Sequence, residues 1–262
     1  MDTPSTPTAA TRFVLLCHAR TGSNLMMAAL EKHPEIRMLG EVFHGDEVER
    51  RKIAASSFAK STAYRNGEDG AAYLEREVFL SSPKKPIRAC GCKLFFDDAR
   101  FDLNVRTAWE SVVSNRDIRI ILLSRSNLLN CLVSREVAMR THQWSRPLNA
   151  VKLRKPEVRP FALEPDRCHW YFDRILSWRA WAADAFRDHP LLRLEYEADL
   201  DGRFPQAMSR TFDFLGVSPT TAKPRIEKQR TKSPAEQLSN FEALRSHFKY
   251  TLYQRFFEEE PA

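Results

Sequence analysis

The chain has no apolar run approaching the roughly 18 residues that a membrane-crossing helix needs, so no span is expected. Its first eleven residues are small and polar with two prolines and no apolar stretch of signal-peptide type, and they read as a flexible tail. The five cysteines, Cys17, Cys90, Cys92, Cys131 and Cys168, form neither a C-x-x-C pair nor a Cys/His metal pattern. They read as reduced thiols in a cytoplasmic protein without a metal centre, and the Cys90-x-Cys92 spacing would put both side chains on one face of a strand, as core. A long basic run is also missing. The net charge is +7, but the 41 Lys and Arg are interleaved with 34 Asp and Glu. That pattern argues against a nucleic-acid-binding arm and suits a small polyanionic ligand. No internal repeat is present.

What the chain does contain is core material: 262 residues, 43% hydrophobic and 11% aromatic, enough for one domain over residues 12–262. The organising stretch is Arg12 to Glu41. Phe13, Val14, Leu15 and Leu16 form a short apolar run of strand type, and His18-Ala19-Arg20-Thr21-Gly22-Ser23-Asn24 breaks it. Leu25, Met26, Ala29 and Leu30 then recur at helical spacing until His33-Pro34 stops the helix. A strand, a small-residue turn and a helix start together present backbone N–H groups at the positive end of a helix dipole, which is an anion cradle. Gly22 permits close approach, Ser23 or Asn24 can cap the helix or donate to phosphate oxygens, and Arg20 adds a forked cation. Walker A chemistry is excluded, because the second glycine and the lysine of G-x-x-x-x-G-K-S/T are absent.

Beyond the turn, Glu35–Leu39 predicts a second strand, with Glu41 and His44 just past its carboxyl end. Residues 45–85 are rich in charge and small side chains, with a helix around 70–79 and a break at Ser81–Pro86. Ile87–Phe96 predicts a third strand carrying Lys93, followed by a helix over Val105–Val113. Asp117–Ser124 reads as a fully buried central strand with Arg125 at its end, and a helix runs from Asn127 to about Arg140. Thr141–Pro165, with four prolines, reads as a loop. A helix then begins near Pro165 and ends before Pro190, a late strand covers Leu191–Tyr196, and a helix over Phe204–Leu215 is closed by Gly216. One last helix is expected over Asn240–Phe257. This alternation predicts an α/β fold, a mainly parallel central sheet flanked by helices.

The run Cys17-His18-Ala19-Arg20-Thr21-Gly22-Ser23-Asn24-Leu25 resembles the 5′-phosphosulfate-binding loop of sulfotransferases that use 3′-phosphoadenosine 5′-phosphosulfate, PAPS. In that family the loop reads Pro-Arg/Lys-Ser/Thr-Gly-Ser/Thr-Asn/Thr-Leu/Phe or close to it; Ala19 stands where proline is common. The likeness is greatest to the bacterial carbohydrate branch, of trehalose 2-sulfotransferase and nodulation-factor sulfotransferase type. It extends to Ile120–Arg125 with Ser134, similar to the 3′-phosphate site. Ser134 lies one residue beyond the spacing of cytosolic members, which leaves Ser126 as an alternative. It also extends to Leu194–Leu200 and Phe212–Val217, which resemble the Y-E-D-L and F-L-G-V segments. Arg230 and Lys232 lie where relatives fold a basic loop over the nucleotide.

The resemblance implies a P-loop-like sulfotransferase fold and transfer of a sulfuryl group from PAPS to a hydroxyl of a carbohydrate or glycolipid-like acceptor, with PAP as product and no metal. Residues Arg20, Thr21, Gly22, Ser23 and Asn24 would hold the 5′ side of the nucleotide, with Arg125, Ser134, Arg230 and Lys232 on its 3′ side. Lys93 resembles the lysine of a Lys-x-His unit, but Phe95 replaces the histidine, so the base must come from elsewhere. Glu41, in Gly40-Glu41-Val42-Phe43, matches the glutamate of carbohydrate sulfotransferases, and His44 is its rival, since an imidazole's ordinary pKa suits the task. His18 beside Cys17 does not fit a Cys-based phosphatase loop, because too few residues separate Cys17 from Arg20. Acceptor specificity would reside in 44–85 and 138–165, where Trp144 is the one tryptophan expected as an acceptor contact, the other four reading as core. Some enzymes of this type are homodimers. The alternative reading is an inactive PAP- or PAPS-binding regulatory protein.

Overall fold

The structure is a computed structural model, which describes residues 10–43, 64, 67–79, 87–98, 104–144, 158–221 and 232–258. Five strands form one sheet: β1 (Thr11–Cys17), β2 (Ile36–Glu41), β3 (Ala89–Phe95), β4 (Arg119–Ser124) and β5 (Leu191–Glu195). Their order is β2-β3-β1-β4-β5, and every pairing is parallel. This is the expected α/β class. Parallel strands need crossovers, which here include helices α1 (Ser23–Leu30), α2 (Gly70–Tyr73), α3 (Val105–Ser114), α4 (Leu128–Thr141) and α5 (Pro165–Ala185). Three more follow β5: α6 (Phe204–Leu215), α7 (Pro234–Gln237) and α8 (Phe241–His247). Among the described residues no helix is long and apolar enough to cross a membrane.

The two-residue side-chain period of a strand divides the core. Val14 and Leu16 of β1 join Cys90, Cys92, Leu94, Ile120 and Leu122 under α3 and the end of α5. Phe13, Leu15 and Cys17 join Ile121 and Leu123 under α1 and α6 on the opposite face. Both faces are covered, so the central strands read as near-continuous apolar runs. Each such Leu, Ile or Phe contributes about 1.5–3 kcal/mol on burial. A third cluster packs Leu128, Leu132 and Val133 of α4 against Phe172 and Ile175 of α5 and against Phe248, Tyr253 and Phe256.

The order of strand addition switches about β1: β2 and β3 lie on one side, β4 and β5 on the other. Open α/β sheets hold ligands at the carboxyl ends of strands beside such a switch. The segments after β1 and β4 meet there.

Three local expectations need correction. Neither Ser23 nor Asn24 caps α1; Gly22 is the N-cap, left-handed at φ 86°, with no side-chain cap bond. The expected last helix is two pieces, α8 and a 3-10 turn over Gln254–Phe257, parted by Tyr250 at φ 65°. Trp170 and Trp181 are 42% and 43% exposed on α5 and not buried, although Trp181 packs edge-on against core Trp109 and Phe186. As expected, Gly216 closes α6 in the left-handed conformation.

Candidate active site

The turn after β1 is built on two left-handed residues, Arg20 at φ 71° and Gly22 at φ 86°. Thr21 is buried and its hydroxyl donates to the His18 carbonyl at 3.0 Å, closing the turn from inside. Glycine is required at 22 for space as well as hand, since a Cβ there would lie 2.6 Å from the Tyr196 ring. The turn opens α1, whose first N–H groups, at Ser23 and Asn24, have no intrahelical acceptor. Those are the donors of an anion cradle.

Beside it lies a carboxylate–ammonium centre. A register shift between Leu39 and Glu41 on β2 sets Glu41 opposite Lys93 of β3. Lys93 Nζ donates to Glu41 Oε1 at 2.6 Å and to Asn24 Oδ1 at 2.8 Å, and stands 4.4 Å from the Phe95 ring centroid. Asn24, expected as a cap or phosphate donor, thus ties the turn to β3. Phe95 supplies an aromatic face to the ammonium. The lysine side chain is 1% exposed and that of Glu41 14%.

A second carboxyl, Asp98, is buried close to this pair. It accepts the Phe95 N–H at 2.7 Å, and burial pushes its pKa up to about 8. No sequence pattern singles it out beyond the Asp97-Asp98 pair directly after a strand.

At the end of β4, Arg125 Nε donates to Glu197 Oε1 at 2.9 Å, its Nη1 donates to the Arg20 carbonyl at 3.4 Å, and its guanidinium stands 4.6 Å from the Tyr196 ring centroid. Arg20 Nε donates to Ser134 Oγ at 2.9 Å and its Nη1 to the Trp144 carbonyl at 2.5 Å. Ser134 therefore meets Arg20 of the turn, while exposed Ser126 lies next to Arg125. Arg179 of α5 donates to the Arg125 carbonyl. Its helical spacing gives no sign of this, because the contact is purely tertiary.

His18 is buried, with Nδ1 donating to the Ala19 carbonyl at 3.0 Å and Nε2 lacking a hydrogen-bond partner among the described residues. Burial, reinforced by the Arg179 and Arg125 charges, lowers its pKa to about 3, so it is a neutral acceptor beside the turn. Burial pushes the Cys17 and Cys131 thiols up to about 11, as expected of inert core thiols. Lys232 is exposed, and its neighbour Ser233 is committed to a capping box with Glu236 at the start of α7. Trp144 is 46% exposed, next to the turn through its carbonyl. His44 and Arg230 lie outside the described residues, as does most of 44–85 and the stretch 145–157 of the second expected acceptor segment.

The strand–turn–helix cradle, its flanking arginines and a buried lysine–glutamate pair thus stand together at the carboxyl ends of the strands of an α/β sheet. Over 257 residues, 95% of its length, the chain is 28% identical to nodulation protein H of Rhizobium tropici, covering 94% of that protein. It is 26% identical over 258 residues, 94% of either chain, to nodulation protein H of Rhizobium meliloti. The similarity to these nodulation proteins therefore runs along nearly the whole chain. No protein-family model matches. Among solved structures, a sulfotransferase from Alicyclobacillus acidocaldarius superposes with a TM-score of 0.47 at 14% identity, covering 92% of each chain. A sulfotransferase from Mycobacterium avium gives 0.43 at 11%, covering 92% of this chain and 76% of the other.

Proposed function

We propose that this chain is a PAPS-dependent sulfotransferase that sulfates a hydroxyl of a carbohydrate or glycolipid-like acceptor. The observation that carries the reading is the position of Lys93, whose ammonium joins Asn24 of the anion-binding turn to Glu41 at the end of the neighbouring strand. Cation, carboxylate and anion cradle are then contiguous, as sulfuryl transfer to an alcohol requires.

The residues fit the donor on their own chemistry. Arg20 and the Gly22–Asn24 N–H groups suit its 5′-phosphosulfate, Arg125 suits a 3′-phosphate, and the unpartnered Nε2 of His18 offers an acceptor to a ligand N–H or O–H. The donor supplies an activated sulfur whose bond to a phosphate oxygen breaks as the acceptor oxygen bonds to it, without change of oxidation state. Glu41 takes the proton of the incoming hydroxyl. Lys93 has three N–H donors, two of them engaged by Asn24 and Glu41, so it can also meet the charge gathering on the departing phosphate. Arg20 serves the same end from the turn. Positioning and electrostatics then account for most of the rate, by analogy with phosphoryl transfer. Residues 12–262 form one domain in this reading, and 44–85 and 138–165 shape the acceptor site.

The reading is tested by calorimetric titration of PAP, with ATP as control, into wild type, Arg20→Ala and Arg125→Ala, alongside turnover of Glu41→Gln. Tight PAP binding weakened in both arginine variants, with turnover lost and PAP affinity kept in Glu41→Gln, supports it. Absence of PAP binding overturns it. PAP binding without turnover on any hydroxyl acceptor points to a regulatory nucleotide-binding protein. Retained turnover in Glu41→Gln transfers the base to His44.

A further inference from the structure

The arginine assigned above to the 3′-phosphate already holds an anion. Glu197 Oε1 accepts from Arg125 Nε and Glu197 Oε2 accepts from the Ser126 N–H, both at 2.9 Å. A guanidinium edge and a neighbouring backbone N–H are the donors a phosphate monoester would seek, and here one carboxylate spans them. Glu197 belongs to a π-helical turn, Tyr196–Leu200, that directly follows β5. Such wide turns recur at functional sites. The backbone of this turn is fastened independently of Glu197: Asp199 Oδ2 accepts the Glu195 N–H at 2.8 Å and pairs with Arg210. Tyr196 lies against both Gly22 and Arg125. The glutamate side chain, 18% exposed, can therefore leave without unravelling its anchor.

We infer that Glu197 is a resident counter-ion that a nucleotide 3′-phosphate must displace, so that this residue sets the affinity for 3′-phosphorylated nucleotides and eases their release. The inference rests on the reading of Arg125 given above. In the free protein the carboxylate satisfies a largely buried guanidinium that would otherwise lack compensation. On binding, the phosphate replaces that contact, and only the surplus over it appears as affinity. The net effect is a weaker hold on PAP than Arg125 alone would provide.

The test compares PAP with adenosine 5′-monophosphate, which lacks the 3′-phosphate, by calorimetry on wild type, Glu197→Gln and Glu197→Asp. Glutamine keeps an acceptor but loses the charge; aspartate keeps the charge but is too short to span both donors. Both variants should bind PAP about tenfold more tightly than wild type, the scale of one charge-assisted hydrogen bond no longer broken on binding. Adenosine 5′-monophosphate affinity should stay within about twofold. Unchanged or weakened PAP binding would mean that Glu197 holds Arg125 in place for the ligand, and would overturn the inference while leaving the sulfotransferase reading intact. Equal tightening for both nucleotides would overturn it too. Failure of wild type to bind PAP would remove the reading and the inference together. Should one variant fold poorly, the other carries the comparison.

Discussion

Lys93 and Glu41, 52 residues apart in sequence, meet at 2.6 Å across neighbouring parallel strands, and the lysine is the more deeply buried partner, 1% exposed against 14%. The pair is therefore asymmetric. Removing the glutamate charge strands an ammonium in the core, whereas removing the lysine leaves a carboxylate that reaches water. Glu41→Gln is expected to lower stability by about 3 kcal/mol and Lys93→Met by no more than about half of that. Urea denaturation of the two variants measures this directly, and equal losses would show that burial does not govern the pair.

Much of this centre is legible in the amino-acid sequence. The apolar runs at 13–16 and 120–123 mark buried parallel strands, and polar residues at strand ends mark where a ligand would sit. That rule puts Glu41, Lys93, Arg20 and Arg125 near strand ends, and the resemblance to sulfotransferases implies their roles. Asp98, Arg179 and Glu197 are singled out by neither. Arg179 and Glu197 act through contacts at least 54 residues away in sequence and Asp98 is distinguished by its burial, and local periodicity carries no record of either. The helix cap is hidden for a related reason: Gly22 must be glycine because of the Tyr196 ring, 174 residues away (196 − 22), and once it takes the N-cap, Asn24 is released to Lys93. At the C-terminal end, a helical pattern continues through a position where Tyr250 turns left-handed.

At both left-handed positions of the turn, glycine should be more stable than alanine. Gly22→Ala places a Cβ in an unfavourable conformation and against the Tyr196 ring, so about 2–3 kcal/mol of stability should be lost. At Arg20, where a side chain already bears the conformational cost, Arg20→Gly should be more stable than Arg20→Ala by about 1 kcal/mol, although both lack the guanidinium. Urea midpoints for the three variants decide it. An alanine as stable as glycine at position 20 would mean that the turn is not left-handed there.

Stability should depend on pH through two buried groups that act in opposite senses. Native Asp98, pushed up to about 8, keeps a proton that the unfolded chain releases near its ordinary 3.8. Between those values the native state binds more protons, so this contribution falls as pH rises from about 4 to about 8. His18, lowered to about 3 from 6.5, is protonated only in the unfolded chain across that interval, and its contribution is lost as pH falls through it. Asp98→Asn preserves an acceptor for the Phe95 N–H and removes the first dependence. Relative to wild type it should gain stability steadily from about pH 4 to about pH 8. Parallel denaturation curves at every pH would show that Asp98 does not titrate in that range.

Ser134 separates two assignments of the same hydroxyl. Its Oγ accepts from Arg20 Nε at 2.9 Å, which fixes the guanidinium over the turn where the 5′ side of a nucleotide would lie. Ser134→Ala should remove about 1 kcal/mol of stability, the usual worth of such a bond, and loosen Arg20. If Ser134 acts through Arg20, affinities for PAP and for adenosine 5′-monophosphate should fall together, by about three- to tenfold. If it touches the 3′-phosphate instead, only PAP affinity should fall. Ser126, next to Arg125, supplies the internal control: Ser126→Ala keeps the backbone N–H that Glu197 engages, so a selective loss of PAP affinity in this variant alone would move the 3′-phosphate contact to the Ser126 hydroxyl.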